Sequence, residues 1–61
     1  MKYIIKNTKL NNYYQKTLKT GFHFVQDIDE AYIFKNKKEA NKVHSTFKKL
    51  RYYENLEIIR R

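Results

Sequence analysis

The sequence predicts an α+β fold: a small, mostly antiparallel sheet of three to four strands, ordered β-β-(β)-β-α-β, with one amphipathic helix packed on one face. Three observations carry this. A helical period of apolar residues runs between Asn36 and Arg51. Short segments rich in β-branched and aromatic residues stand on both sides of it, two of them with adjacent isoleucines, Ile4-Ile5 and Ile58-Ile59. The chain has 61 residues and no cysteine, so one domain spanning residues 1–61 must hold itself together by apolar packing, without disulfides.

The helix is the best-defined element. Asn36 is a good N-cap, and Glu39 follows at capping-box spacing. Ala40, Val43, Phe47 and Leu50 fall at i, i+3, i+7 and i+10, on one narrow face. Glu39 in the first turn and Lys48, Lys49 and Arg51 in the last complement the helix dipole. The opposite face reads Lys38, Lys42, Ser45, Lys49, with Lys37, Lys48 and His44 beside it.

Lys2–Lys6 reads as the first strand, followed by a polar connection over 7–12 and a second strand from Tyr13 to about Leu18. The sole glycine, Gly21, punctuates the chain before Phe22-His23-Phe24-Val25, which continues the sheet after a bend. Asp27–Glu30 is a turn, and Ala31-Tyr32-Ile33-Phe34 a short strand leading into the helix. Leu56–Arg60 is the last strand. Adjacent isoleucines place one side chain on each face, which suits central strands, so the first and last strands are expected to be neighbours.

Charge is concentrated. Fourteen Lys and Arg against six Asp and Glu give +8, a balance that attracts nucleic acid, an anionic membrane surface or an acidic protein face. Residues 35–51 alone carry seven bases and one acid, +6. Lys, Asn, Ile and Tyr make up 29 of the 61 residues. Their codons are A/T-rich, so genome composition accounts for part of the lysine excess. Eleven of the bases are Lys and three are Arg, whereas base recognition favours the bidentate Arg fork.

Catalytic parts are missing. Two histidines 21 residues apart, His23 and His44, lack metal-ligand spacing. Asp27, Asp29 and Glu30 lack the glycine and carboxylate ladder of a calcium loop. One glycine builds neither a phosphate loop nor a nucleophile elbow. The chain is therefore read as non-enzymatic, with no cofactor and no metal. Tyr13, Tyr14, Phe22, Phe24, Tyr32 and Phe34, with Lys16, Lys19 and Lys35 nearby, are able to stack single-stranded bases. Most of these rings are needed for the core, and the core reading is the stronger. Tyr52-Tyr53, just after the helix, supplies at least one exposed ring of the kind that anchors interfaces.

The segment 27–40, with Asp27, Ala31 and Phe34 spaced D-x-x-x-A-x-x-F before the helical Glu39-Ala40, and the terminal Leu56-Glu57-Ile58-Ile59, resembles small accessory proteins of phages of A/T-rich Gram-positive bacteria. The resemblance covers about the last 35 residues and carries over no site residue. It implies an accessory gene of a mobile element, whose products bind a host enzyme, a defence complex or nucleic acid.

The leading expectation is a phage-type accessory protein that binds and inhibits or modulates a host nucleic-acid-handling or defence protein, for example as an anti-CRISPR. Lys38, Lys42 and Lys49 would form its contact, with Tyr52 and Tyr53 as anchors. The alternative is a small DNA- or RNA-binding regulator using Lys37, Lys38, Lys42, Lys48, Lys49 and Arg51. A third reading is an oligomeric module, with a homodimer through an exposed edge strand. No apolar run reaches the ~20 residues of a membrane span, and the N-terminus lacks a signal-peptide core, so the host cytoplasm is the expected location.

Overall fold

The computed structural model describes residues 2–16, 21–50 and 55–61. Four strands form one antiparallel sheet: β1 (Tyr3–Asn7), β2 (Asn12–Gln15), β3 (His23–Val25) and β4 (Leu56–Arg60), in the spatial order β3-β2-β1-β4. A 3-10 turn (Ile28–Glu30) and the helix α1 (Lys37–Leu50) separate β3 from β4. The α+β architecture, the helix and the pairing of first and last strands are as the sequence predicts; of the two strands with isoleucine pairs only β1 is central, and β4 is an edge strand. β1 and β4 pair over five residues, from Tyr3↔Arg60 to Asn7↔Leu56.

Register assigns the faces. Tyr3, Ile5 and Asn7 of β1 share one face with Tyr14, Phe24, Leu56 and Ile58; Ile4, Lys6, Tyr13, Val25 and Ile59 share the other. The first face carries the core. Ile5, Tyr14, Phe34 and Leu56 are buried there with Ala40 and Phe47 of α1. Phe47 meets Phe22 edge-on with ring centroids 4.8 Å apart, Tyr14 at 5.7 Å and Phe24 at 6.0 Å. Such pairs add to the burial of their area. Val43 is half-buried against this cluster, so the expected apolar helix face is in place at Ala40, Val43 and Phe47. The side chain of Leu50 lies outside the described ones.

Ile4 and Ile5 are both fully buried, although they point to opposite faces. On Ile4's side the 3-10 turn lies over the sheet. The Arg61 guanidinium reaches it from the end of β4, donating to the Ile28 carbonyl (2.7 Å) and pairing with Asp29. Gln15 Nε2 donates to the Glu30 carbonyl from β2. Asp27 caps the turn, its side chain accepting from the Asp29 N–H at 2.9 Å.

One expected strand is different. Ala31–Phe34 forms no ladder; it makes a single bridge, Tyr3↔Phe34. β1 and β2 pair only at Lys6↔Tyr13 and Asn7↔Asn12, and beyond that they part. The 31–34 segment enters the gap: the Tyr32 N–H donates to Tyr14 O at 2.8 Å, and Phe34 exchanges two bonds with Tyr3 at 2.8 and 3.0 Å. Its alternation survives, with Ala31 buried, Ile33 exposed, and Tyr32 and Phe34 turned to the aromatic core. The second strand, expected from Tyr13 to about Leu18, ends at Gln15, and its last expected positions, 17 and 18, lie outside the described residues.

Between β1 and β2 the turn is built by Asn7. Its buried carboxamide oxygen accepts from the N–H groups of Lys9 and Leu10, both at 3.0 Å, while Asn11 adopts φ 57°, a left-handed conformation that Asn tolerates better than most residues.

Tyr14 supplies a pH prediction. Burial, with a smaller contribution from Tyr32, raises its hydroxyl above the ordinary value of 10.0. The folded state therefore holds this proton where the unfolded chain releases it. Stability is undiminished below pH 10, falls as pH rises from there to the folded value, and then levels off. Tyr14→Phe removes this slope, which urea unfolding at pH 9, 10 and 11 measures.

Candidate functional site

The candidate surface is the solvent side of α1, and its position follows from how the helix begins. Asn36 stands before the first turn, and its side-chain oxygen accepts from the Glu39 N–H at 2.9 Å. Asn36→Ala loses that bond and about 1 kcal/mol, an effect that thermal unfolding detects. With Ala40 and Phe47 fixed inward, the 3.6-residue period turns Lys38, Lys42, Ser45 and Lys49 outward, with Lys37 and Lys48 beside them. All six side chains are exposed.

The stripe from Lys38 to Lys49 runs over twelve residues, a rise of about 16 Å along the helix. The ammonium groups on it are not neutralised by neighbours: among the described residues the one ion pair is Arg61–Asp29, on the far side of the sheet. Glu39 is the only acid in the described helix. Five lysines thus line an arc of about 140° along α1, and their mutual repulsion is relieved only by solvent or by an anionic partner.

Of the residues expected to make the site, Lys37, Lys38, Lys42, Lys48 and Lys49 lie together on this face. Arg51, Tyr52 and Tyr53 lie outside the described residues. His44, expected beside the lysine face, is half-buried, and its Nε2–H donates to the Leu56 carbonyl at 2.8 Å, tying α1 to β4. Sequence offered no signal for that bond, because a carbonyl acceptor leaves no mark on residue type.

Stacking of bases on the sheet is not available to most of the rings considered for it. Tyr14 and Phe34 are buried, and Phe22, Phe24 and Tyr32 pack against them under α1. Tyr13 stands on the other face, half-buried, with Lys6 Nζ 5.8 Å from its ring centre.

Two open concavities lie among the described residues. One, of 350 Å³, lies between α1 and the 31–34 segment, with Tyr32, Lys16, Glu39 and Lys42 on its walls. A second, of 420 Å³, has His23, Asp29 and Glu30 at its rim. Asp29 is already held by Arg61, and no group of three metal-ligating side chains exists among the described residues. No described helix is long and apolar enough to cross a membrane.

Compared with protein-family models, with curated proteins and with solved structures, the chain matches none.

Proposed function

We infer that this protein is a non-enzymatic accessory binding protein of the phage type. It acts stoichiometrically in the host cytoplasm on a nucleic-acid-handling or defence protein, for example a CRISPR effector. The single observation behind this reading is the exposed lysine face of α1, which no ion pair among the described residues neutralises. The complement of such a face is an acidic patch on the partner, or the nucleic acid that the partner holds. Lys38, Lys42 and Lys49 make the contact, and Tyr52 and Tyr53 are the proposed anchors. Tagged protein exposed to nuclease-treated host lysate is expected to retain one stoichiometric partner. Recovery of nucleic acid alone would sink this reading.

Direct nucleic-acid binding is the second reading, and one observation favours it: the described part of the face is entirely Lys, Ser and Asn, a composition that suits phosphates better than the core of a protein interface. Five lysines neutralising five phosphates predict that log K falls against log salt with a slope of about −4.5 on duplex DNA. Titration of a labelled duplex from low to physiological salt measures that slope, and absence of binding at low salt removes this reading.

A further inference from the structure

β4 forms one edge of the sheet, and its register decides which of its backbone groups are paired. The Arg61 N–H donates to Lys2 O at 2.7 Å, and the Thr8 N–H to Asn55 O at 2.8 Å. These two bonds set the parity of the ladder containing Ile4↔Ile59 and Lys6↔Glu57. Glu57 and Ile59 therefore turn their N–H and C=O groups toward β1, and Leu56, Ile58 and Arg60 turn theirs outward. His44 takes the outward carbonyl of Leu56 and closes that end. Ile58 and Arg60 remain, one ladder repeat apart, with two N–H and two C=O groups that have no partner among the described residues. The strand is five residues long, without proline, lysine or a break in register, so most devices that blunt an edge are missing. The opposite edge, β3, has only three residues.

We propose that the β4 edge accepts an acidic, extended segment of a partner protein as a fifth strand. Backbone bonds to Ile58 and Arg60 hold it, the mode by which extended peptides join open sheets. Charge selects it. The His44–Leu56 bond sets one column of α1 beside this edge, and that column reads Lys37, Asn41, His44, Lys48 at spacings of four, three and four. Lys37, Lys48 and Arg60 are exposed. A second copy of the chain would bring the same cations and a net +8 against an equal charge, which opposes self-pairing; an acidic strand meets attraction. This edge is separate from the lysine stripe, lying about 100° further round the helix, and its carriers are backbone groups, so it stands whether or not Lys38, Lys42 and Lys49 have a partner.

The test uses the whole chain labelled with nitrogen-15 and an eleven-residue probe peptide of alternating Glu and Val. The amides of Ile58 and Arg60 are expected to shift and to gain protection from hydrogen exchange, while those of Glu57 and Ile59, already in the β1 ladder, stay as they were. Arg60→Pro removes one outward N–H without touching that ladder. It should weaken the peptide about tenfold, with continued protection of the Ile59 amide showing that the strand is intact. The triple variant Lys38→Ala, Lys42→Ala, Lys49→Ala should retain the response at Ile58 and Arg60, which separates this proposal from the function of the lysine face. Equal binding of an uncharged Thr-Val peptide, shifts confined to α1, or a dimer whose Ile58 and Arg60 amides are protected without peptide would each overturn it, the last in favour of a second copy.

Discussion

Phe47→Ala is expected to abolish cooperative unfolding. Phe47 is 3% exposed and is the one large apolar side chain that the described helix drives fully into the sheet. It meets three rings from the strands and their approach, Tyr14, Phe22 and Phe24. Truncation removes the transferred ring and leaves a cavity among stiff aromatics that cannot collapse around it, a change that costs about 3–5 kcal/mol. A domain of 61 residues has only about 3–9 kcal/mol in total. The loss is therefore comparable with the whole stability, and the variant should give a broad, non-cooperative melt and collapsed amide dispersion. Phe47→Leu refills most of the space and should keep a single transition at lower temperature. A melt of Phe47→Ala unchanged from the parent would mean that α1 does not pack on the sheet as described.

The same residue shows why part of the fold was legible in the sequence. Phe47, Ala40 and Val43 repeat at the helical period, and Asn36 with Glu39 marks the start; each is a local signal, and the helix begins where they place it. The neighbouring β1 and β4 were legible because Ile4-Ile5 and Ile58-Ile59 each demand apolar surroundings on both faces, and the two pairs are in register, Ile4↔Ile59 and Ile5↔Ile58. The role of 31–34 was not legible. Its alternation of Ala31, Tyr32, Ile33 and Phe34 fixes which side chains point inward, but nothing in those residues tells a laddered strand from a wedge between two diverging ones. That difference is decided by how soon β2 leaves β1, a long-range property. The buried turn function of Asn7 was hidden for a related reason: Asn is common in exposed connections, and burial at 5% exposure follows from the strand it ends. Of the candidate site, the lysine face was readable because period alone determines it. The open groups of Ile58 and Arg60 required the register of β4 against β1.

Reversing three charges should separate the readings of the α1 face most strongly. Lys38→Glu, Lys42→Glu and Lys49→Glu together change the net charge by −6, from +8 to +2. All three side chains are exposed and make no described ion pair, so folding should be affected little; surface substitutions of this kind stay within about 0.5 kcal/mol each. Positions 38 and 42, at i and i+4, exchange one like-charge pair for another, so their mutual repulsion on the helix changes little. Binding should respond far more. Each truncated contact to an acidic partner removes an attraction, and each reversal adds repulsion at the same place, so a loss of at least a hundredfold in affinity is expected, or about 3 kcal/mol. Association rate should fall with it and become less dependent on salt, since steering by the field is what the substitution removes. Stopped-flow association with the partner recovered from lysate, repeated at low and high salt, measures both. If affinity and salt dependence survive the triple reversal while the melt is unchanged, the lysine face is a solvated surface, and recognition belongs to the β4 edge or to the residues following α1.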